Sequence, residues 1–172
     1  MTTAQQTGTV RSEKSTQGSS QLSVGDATRT LALPQLPYAD AVLAELDAVG
    51  MPPAALETGL RATRPGLPEL FMRLVWPTGS HLLDDGVRDK GLTLAWSHVT
   101  GWTAHNGVGD SELLDVDLFA DPALVAMAAR DLAEQDLSLM WSPPDGTAGR
   151  WPEADHLDLA LTRFEEKGGP TW

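Results

Sequence analysis

The side chains with the most evident chemical capacity in this sequence are four neighbouring carboxylates, Glu112, Asp115, Asp117 and Asp121. Two carboxylates at i and i+2 on one strand face can hold Mg²⁺ or Ca²⁺ through oxygen ligands. The stretch lacks the glycine spacing of a calcium loop and has no phosphate-binding loop beside it. It therefore reads as an acidic patch on the wet side of a strand, with Asp121 capping the helix that follows. His81, His98, His105 and His156 show no zinc spacing, and there is no cysteine to complete a site. Ser111, in Gly109-Asp110-Ser111-Glu112, precedes a strand, whereas a nucleophile elbow needs a strand-to-helix turn. Gly107-Val108-Gly109 opens no helix and so cradles no phosphate. No catalytic residue, metal or cofactor is assigned from these patterns.

Six tryptophans stand against three phenylalanines and one tyrosine, so the indoles carry most of the aromatic packing. Trp76, Trp96 and Trp102 have strand settings and are expected in the core. Trp141, Trp151 and Trp172 lie in or beside loops and are the candidates for an exposed contact surface.

The elements that must position these groups follow from periodicity. The centre is Leu92 to His105, two alternating runs around Ser97-His98-Val99-Thr100-Gly101, which is the signature of a β-hairpin. A turn centred on Val99 sets Trp96 opposite Trp102 and Leu94 opposite Ala104, making one side apolar. A two-residue turn at Val99-Thr100 would instead set Trp102 opposite Ser97. Upstream, Pro37 starts a helix with Tyr38, Ala41, Val42, Leu46 and Val49 at helical spacing, closed by Gly50 and Pro52. Leu56 to Thr63 reads as a strand or, from Ala54, as a helical turn, and Leu70 to Trp76 as a strand. His81 to Gly91 is a polar connection, Leu113 to Phe119 a fifth strand, and Asp121-Pro122 the start of a helix buried through Leu124, Val125, Ala128 and Leu132. A short apolar run, Leu137 to Trp141, and a helix through Leu157, Ala160, Leu161 and Phe164 complete the chain.

Segregated strands with helices at the ends predict an α+β fold, an antiparallel sheet of about five strands packed against N-terminal and C-terminal helices. The expected organisation is a disordered tail over residues 1–33, a core domain over 36–135, and a C-terminal loop and helix over 137–172 packed on the core. The tail reading rests on its Thr, Gln, Ser and Gly content, which offers too little apolar surface to offset ordering entropy.

The central stretch resembles an actinobacterial family of small proteins of unknown function. Leu92 to Trp96, Gly101-Trp102, Gly107 to Leu113 leading into a strand, and the Pro122 helix to Leu132 carry the likeness. The chain departs from the family pattern at Ser97-His98, where an acidic pair is expected. The resemblance implies a fold order and a bacterial cytoplasmic setting, and it brings no activity.

Charge narrows the function. A net charge of −12 disfavours direct binding to nucleic acid and to anionic membranes, which require clustered Lys and Arg. No apolar run approaches the length of a membrane span, and the N-terminus lacks the pattern of a signal peptide, so the expected location is cytoplasmic. The residues favour a non-enzymatic protein-interaction or regulatory module that binds another protein or itself, through a sheet edge or the Trp-bearing C-terminal segment. The alternatives are an acidic decoy that mimics nucleic acid, motivated by eight carboxylates and one base between Asp110 and Asp136, and an enzyme of unrecognised type.

Overall fold

In the computed structural model, which describes residues 33–64, 67–137, 140–147 and 149–166, six strands lie side by side in the order in which the chain makes them. The first helix, α1 (Leu36–Ala48), has proline in its opening turn, where a missing N–H costs nothing, and ends before Gly50 at φ 75°. The strands β1 (Ala55–Arg64) and β2 (Leu67–Trp76) form a long antiparallel pair, which settles the choice between strand and helical turn after Ala54. A short helix, α2 (Asp85–Arg88), interrupts the connection expected to be irregular. Next come β3 (Leu92–Ser97), β4 (Gly101–His105) and β5 (Ser111–Leu114), each antiparallel to its predecessor. The helix α3 (Pro122–Glu134) leads to β6 (Met140–Trp141), which pairs parallel with β5, and α4 (Ala154–Glu166) closes the described chain.

This is an α+β architecture with a six-stranded, mostly antiparallel sheet. The expected fifth strand over Leu113 to Phe119 is shorter and begins earlier. After Leu114 the backbone turns, with the Val116 N–H donating to the Leu114 carbonyl, so the Asp-Val-Asp-Leu alternation continues in a loop. The strand ends where the Asp115 N–H is taken by the Trp141 carbonyl, the contact that brings in β6. The expected tail over residues 1–33 lies outside the described residues, apart from its last.

The hairpin has the register that a turn centred on Val99 requires. Trp96 pairs with Trp102, Leu94 with Ala104 and Ser97 with Gly101. Gly101 takes φ 76°, the left-handed conformation that closes a three-residue hairpin loop, and the Ser97 hydroxyl accepts from the N–H groups of Val99 and Thr100. The loop is also fastened to β2, since His98 Nδ1 accepts from the Leu70 N–H at 3.0 Å.

All the long helices pack on one face of the sheet. The core row Leu56, Leu74, Leu94 and Ala104 runs across β1 to β4 and is met by the buried stripe Tyr38, Val42 and Leu46 of α1. Helix α3 is buried through Leu124, Val125, Ala128, Ala129 and Leu132, and its alanines let α1 approach closely. Leu157 and Leu161 of α4 join the same core. At its centre Tyr38 touches four rings: those of Trp96, Trp102 and Phe119 edge-on at 6.0 to 6.2 Å, and that of Trp151 tilted at 5.1 Å. Burial pushes the pKa of the Tyr38 hydroxyl upward, so it stays protonated and donates to the Ala120 carbonyl at 2.7 Å while accepting from Trp102 Nε1 at 3.3 Å.

One glycine secures the end of the sheet next to the uncovered face. A Cβ on Gly107 would stand 2.7 Å from the Lys90 carbonyl oxygen, and the Gly107 N–H donates to that same oxygen. Gly107→Ala is expected to cost about 1–3 kcal/mol, because backbone rather than a movable side chain blocks the methyl. Urea unfolding of the two proteins measures it, and equal midpoints would show that the β4–β5 loop yields without strain.

Candidate functional site

Strand alternation sends every second side chain to the face that the helices leave bare. Register then builds rows across it. One row runs Glu57, Arg73, Ala95, Thr103, Leu113 and Met140, one residue from each strand. The next runs Ala55, Val75, Thr93, His105 and Ser111. A third joins Gly59, Phe71, Ser97 and Gly101. Small side chains in the middle strands and larger ones on β2 leave an open groove of about 750 Å³ over β2, β3 and β4.

The groove has an apolar floor and a cationic side. Phe71, Val75 and Ala95 line it, together with Arg61, Arg73 and Lys90. Arg61 lies over the Phe71 ring at 5.2 Å and is held by Glu69 at 2.8 Å, while Arg73 is held by Glu57 at 2.9 Å. Lys90 meets Asp136 at 2.5 Å, and this hydrogen bond raises its pKa. Beyond the groove on the same face, Leu113 and Met140 are 48% and 54% exposed, which extends the apolar surface toward β6.

His105 is an ionisable group of this face. Its Nε2 lies 2.9 Å from Thr103 Oγ1, and partial burial followed by the charge of Arg73 holds its pKa below the usual value. A lowered imidazole pKa means that the folded protein resists the proton that the unfolded chain accepts. Stability should therefore be unaffected above the ordinary value of 6.5 and should decline as pH falls below it. His105→Gln is expected to remove that part of the decline, measured by denaturant unfolding at about pH 7.5 and about pH 5.5. An unchanged pH dependence would place the titration elsewhere. A histidine beside a threonine hydroxyl is also the beginning of a base and nucleophile pair, and among the described residues no third group is seen to orient the ring.

The four carboxylates of the expected acidic patch are dispersed among separate tasks. Glu112 is a correction to the solvated placement. It pairs with Ala104, shares the inward side of β5 with Leu114 and is 4% exposed. Asp115 accepts from the Ser142 hydroxyl at 3.4 Å. Asp117 accepts from the Phe119 N–H and binds Arg150, which also reaches Asp158. Asp121 caps α3 by accepting from the Ala123 N–H at 2.9 Å, the role its position before Pro122 predicts. No group of three or more His, Cys, Asp or Glu among the described residues converges as a metal site.

Of the tryptophans that are candidates for a contact surface, one is buried, one is partly buried and one is not described. Trp141 is 9% exposed, because β6 joins the sheet and turns the ring inward, where its N–H donates to Asp131. Trp151 is half-buried against Tyr38. Trp172 lies outside the described residues. The uncovered face itself has no single sequence signature, since its charge and shape arise only when four strands are laid in register. No helix among the described residues is long and apolar enough to cross a membrane. No family model, curated protein or solved structure matches the chain.

Proposed function

We propose that this protein is a non-enzymatic interaction module whose docking surface is the uncovered face of its sheet. One observation carries the reading: the long helices share one side of the sheet, and the other side is an open groove of about 750 Å³ that continues into exposed Leu113 and Met140. Solvent-exposed apolar side chains aligned across strands have an energetic incentive to be covered. The sheet face replaces the C-terminal tryptophans as the contact surface, because Trp141 and Trp151 are occupied by the core. A sheet edge is the less favoured surface. On the outer edge of β1 the Gln35 side chain already donates to the Gly59 carbonyl at 3.0 Å, closing one of the groups that a pairing strand would need.

The resemblance of the hairpin and the Pro122 helix to the actinobacterial family belongs to the same proposal, with a cytoplasmic setting. The test fills the groove without touching the core. Ala95→Trp places an indole in the middle of the face, and proteins captured from a bacterial lysate by the parent should be lost from this variant while its thermal unfolding stays close to parental. Capture that survives Ala95→Trp would move the docking surface elsewhere.

A further inference from the structure

We infer that the groove recognises an extended acidic peptide segment of a partner protein, carboxylates at one end and apolar side chains at the other. This rests on the binding-module reading above and names the class of its ligand. The first argument is charge segregation. The chain has 24 Asp and Glu against 12 Lys and Arg, yet Arg61, Arg73 and Lys90 line the groove and no carboxylate among the described residues does. Each of these cations has its carboxylate partner just outside the lining, so in a molecule of net charge −12 the concavity is close to neutral and offers a negative ligand guanidinium donors rather than bare acids.

The second argument is the posture of the arginines. Glu69 and Glu57 each engage one terminal nitrogen, on Arg61 and Arg73 respectively, from beside the groove. A guanidinium carries five N–H donors in a planar fork, so a single anchored nitrogen orients the fork and leaves donors for an incoming carboxylate. Both arginines remain close to half exposed, at 49% and 44%.

The third argument is the gradient along the row that begins with the Glu57–Arg73 pair. From β2 it passes Ala95 and Thr103 and ends on the exposed Leu113 and Met140. A ligand laid along this row from β2 onward would set its carboxylates on the free arginine donors, inside Glu57, and its apolar side chains over β5 and β6. Strands are about 4.8 Å apart, so four steps span about 19 Å, the length of about six residues of extended chain. A small anion would use the arginines and ignore the apolar end. Nucleic acid would bring phosphates along the whole row and past the acidic remainder of the surface. The protein's own residues 1–32 match poorly, since Arg11, Lys14 and Arg29 outnumber Glu13 and Asp26.

A displayed library of random peptides, selected on the full chain, tests the inference. Peptides with Asp or Glu toward one end and apolar residues toward the other should be enriched. Synthesised and followed by fluorescence anisotropy, they should bind at least tenfold more weakly to the R61E/R73E variant and weaken as salt is raised. The milder R61Q/R73Q variant, with circular dichroism and melting close to parental, should show the same direction and excludes misfolding as the cause. Selected peptides without acidic enrichment, or equal binding to both arginine variants, overturn the acidic ligand. If such peptides are nevertheless displaced by Ala95→Trp, the groove stands as the docking surface and only its ligand class falls. If binding ignores Ala95→Trp, the docking surface falls as well. A dimer in light scattering that Ala95→Trp dissociates would seat a second copy on the face and overturn the peptide.

Discussion

Trp96→Ala is expected to destabilise the protein by about 3–5 kcal/mol, the cost of removing a large buried aromatic whose surroundings collapse only in part. The ring is 1% exposed, stands opposite Trp102 in the hairpin and meets both Tyr38 and Phe119 at 6.0 Å. Its Nε1 donates to the Leu118 carbonyl at 2.7 Å, so truncation also leaves that oxygen without its donor. Domains of this kind have about 5–15 kcal/mol in total, and the variant should sit near the limit of folding at 37 °C. Urea unfolding followed by tryptophan fluorescence measures the effect as a lowered midpoint with an unchanged slope. A loss below about 1 kcal/mol would mean that the hairpin face is not sealed beneath α1.

Tyr38→Phe removes one oxygen and should cost about 2–4 kcal/mol, more than most single-atom changes. The hydroxyl serves two buried partners at once, donating to the Ala120 carbonyl and accepting from the Trp102 indole. Each loses its partner in a site sealed from water, at about 1–3 kcal/mol per orphaned polar group. A double-mutant cycle with Trp102→Phe checks the assignment. The second change deletes the indole donor, so the combined loss should be smaller than the sum. Simple additivity would show that the two residues are energetically independent.

The hairpin was readable because alternation with period two specifies which side chains share a face, and two tryptophans at matching distances from one turn leave few registers. The Asp121-Pro122 helix start was equally readable, since capping is local chemistry. Asp115 to Phe119 alternates just as well and is not a strand, because alternation describes side chains and says nothing of which backbone groups find partners. There the deciding bond runs from the Asp115 N–H to the Trp141 carbonyl, on a segment far along the chain. For the same reason two residues of β6 could not be foreseen, and Trp141 was expected outside when it lies inside. At Glu112 two signals conflict: the three aspartates near it suggest a common wet surface, while its parity with Leu114 puts it within. The groove is out of reach altogether, since Arg61, Arg73 and Lys90 are unremarkable in sequence and become one surface only when β1 pairs with β2 and the connection before β3 folds beside them.

Because each of the first five strands pairs with the one before it, most of the sheet closes through short loops, and the entropy of bringing its parts together is small. The longer ties fasten the helices and β6, among them that from Tyr38 to Ala120, residues 82 apart, and that from Trp102 to Tyr38, 64 apart. Such an order of contacts separates early events from late ones. The β2–β3–β4 ribbon has what a folding nucleus needs, local contacts with a strong apolar side, whereas the docking of α1 waits for α3. Tyr38→Phe should therefore act mainly by speeding unfolding, and Trp96→Ala should also slow folding, a division that stopped-flow mixing in urea would read from the two limbs of the kinetic plot.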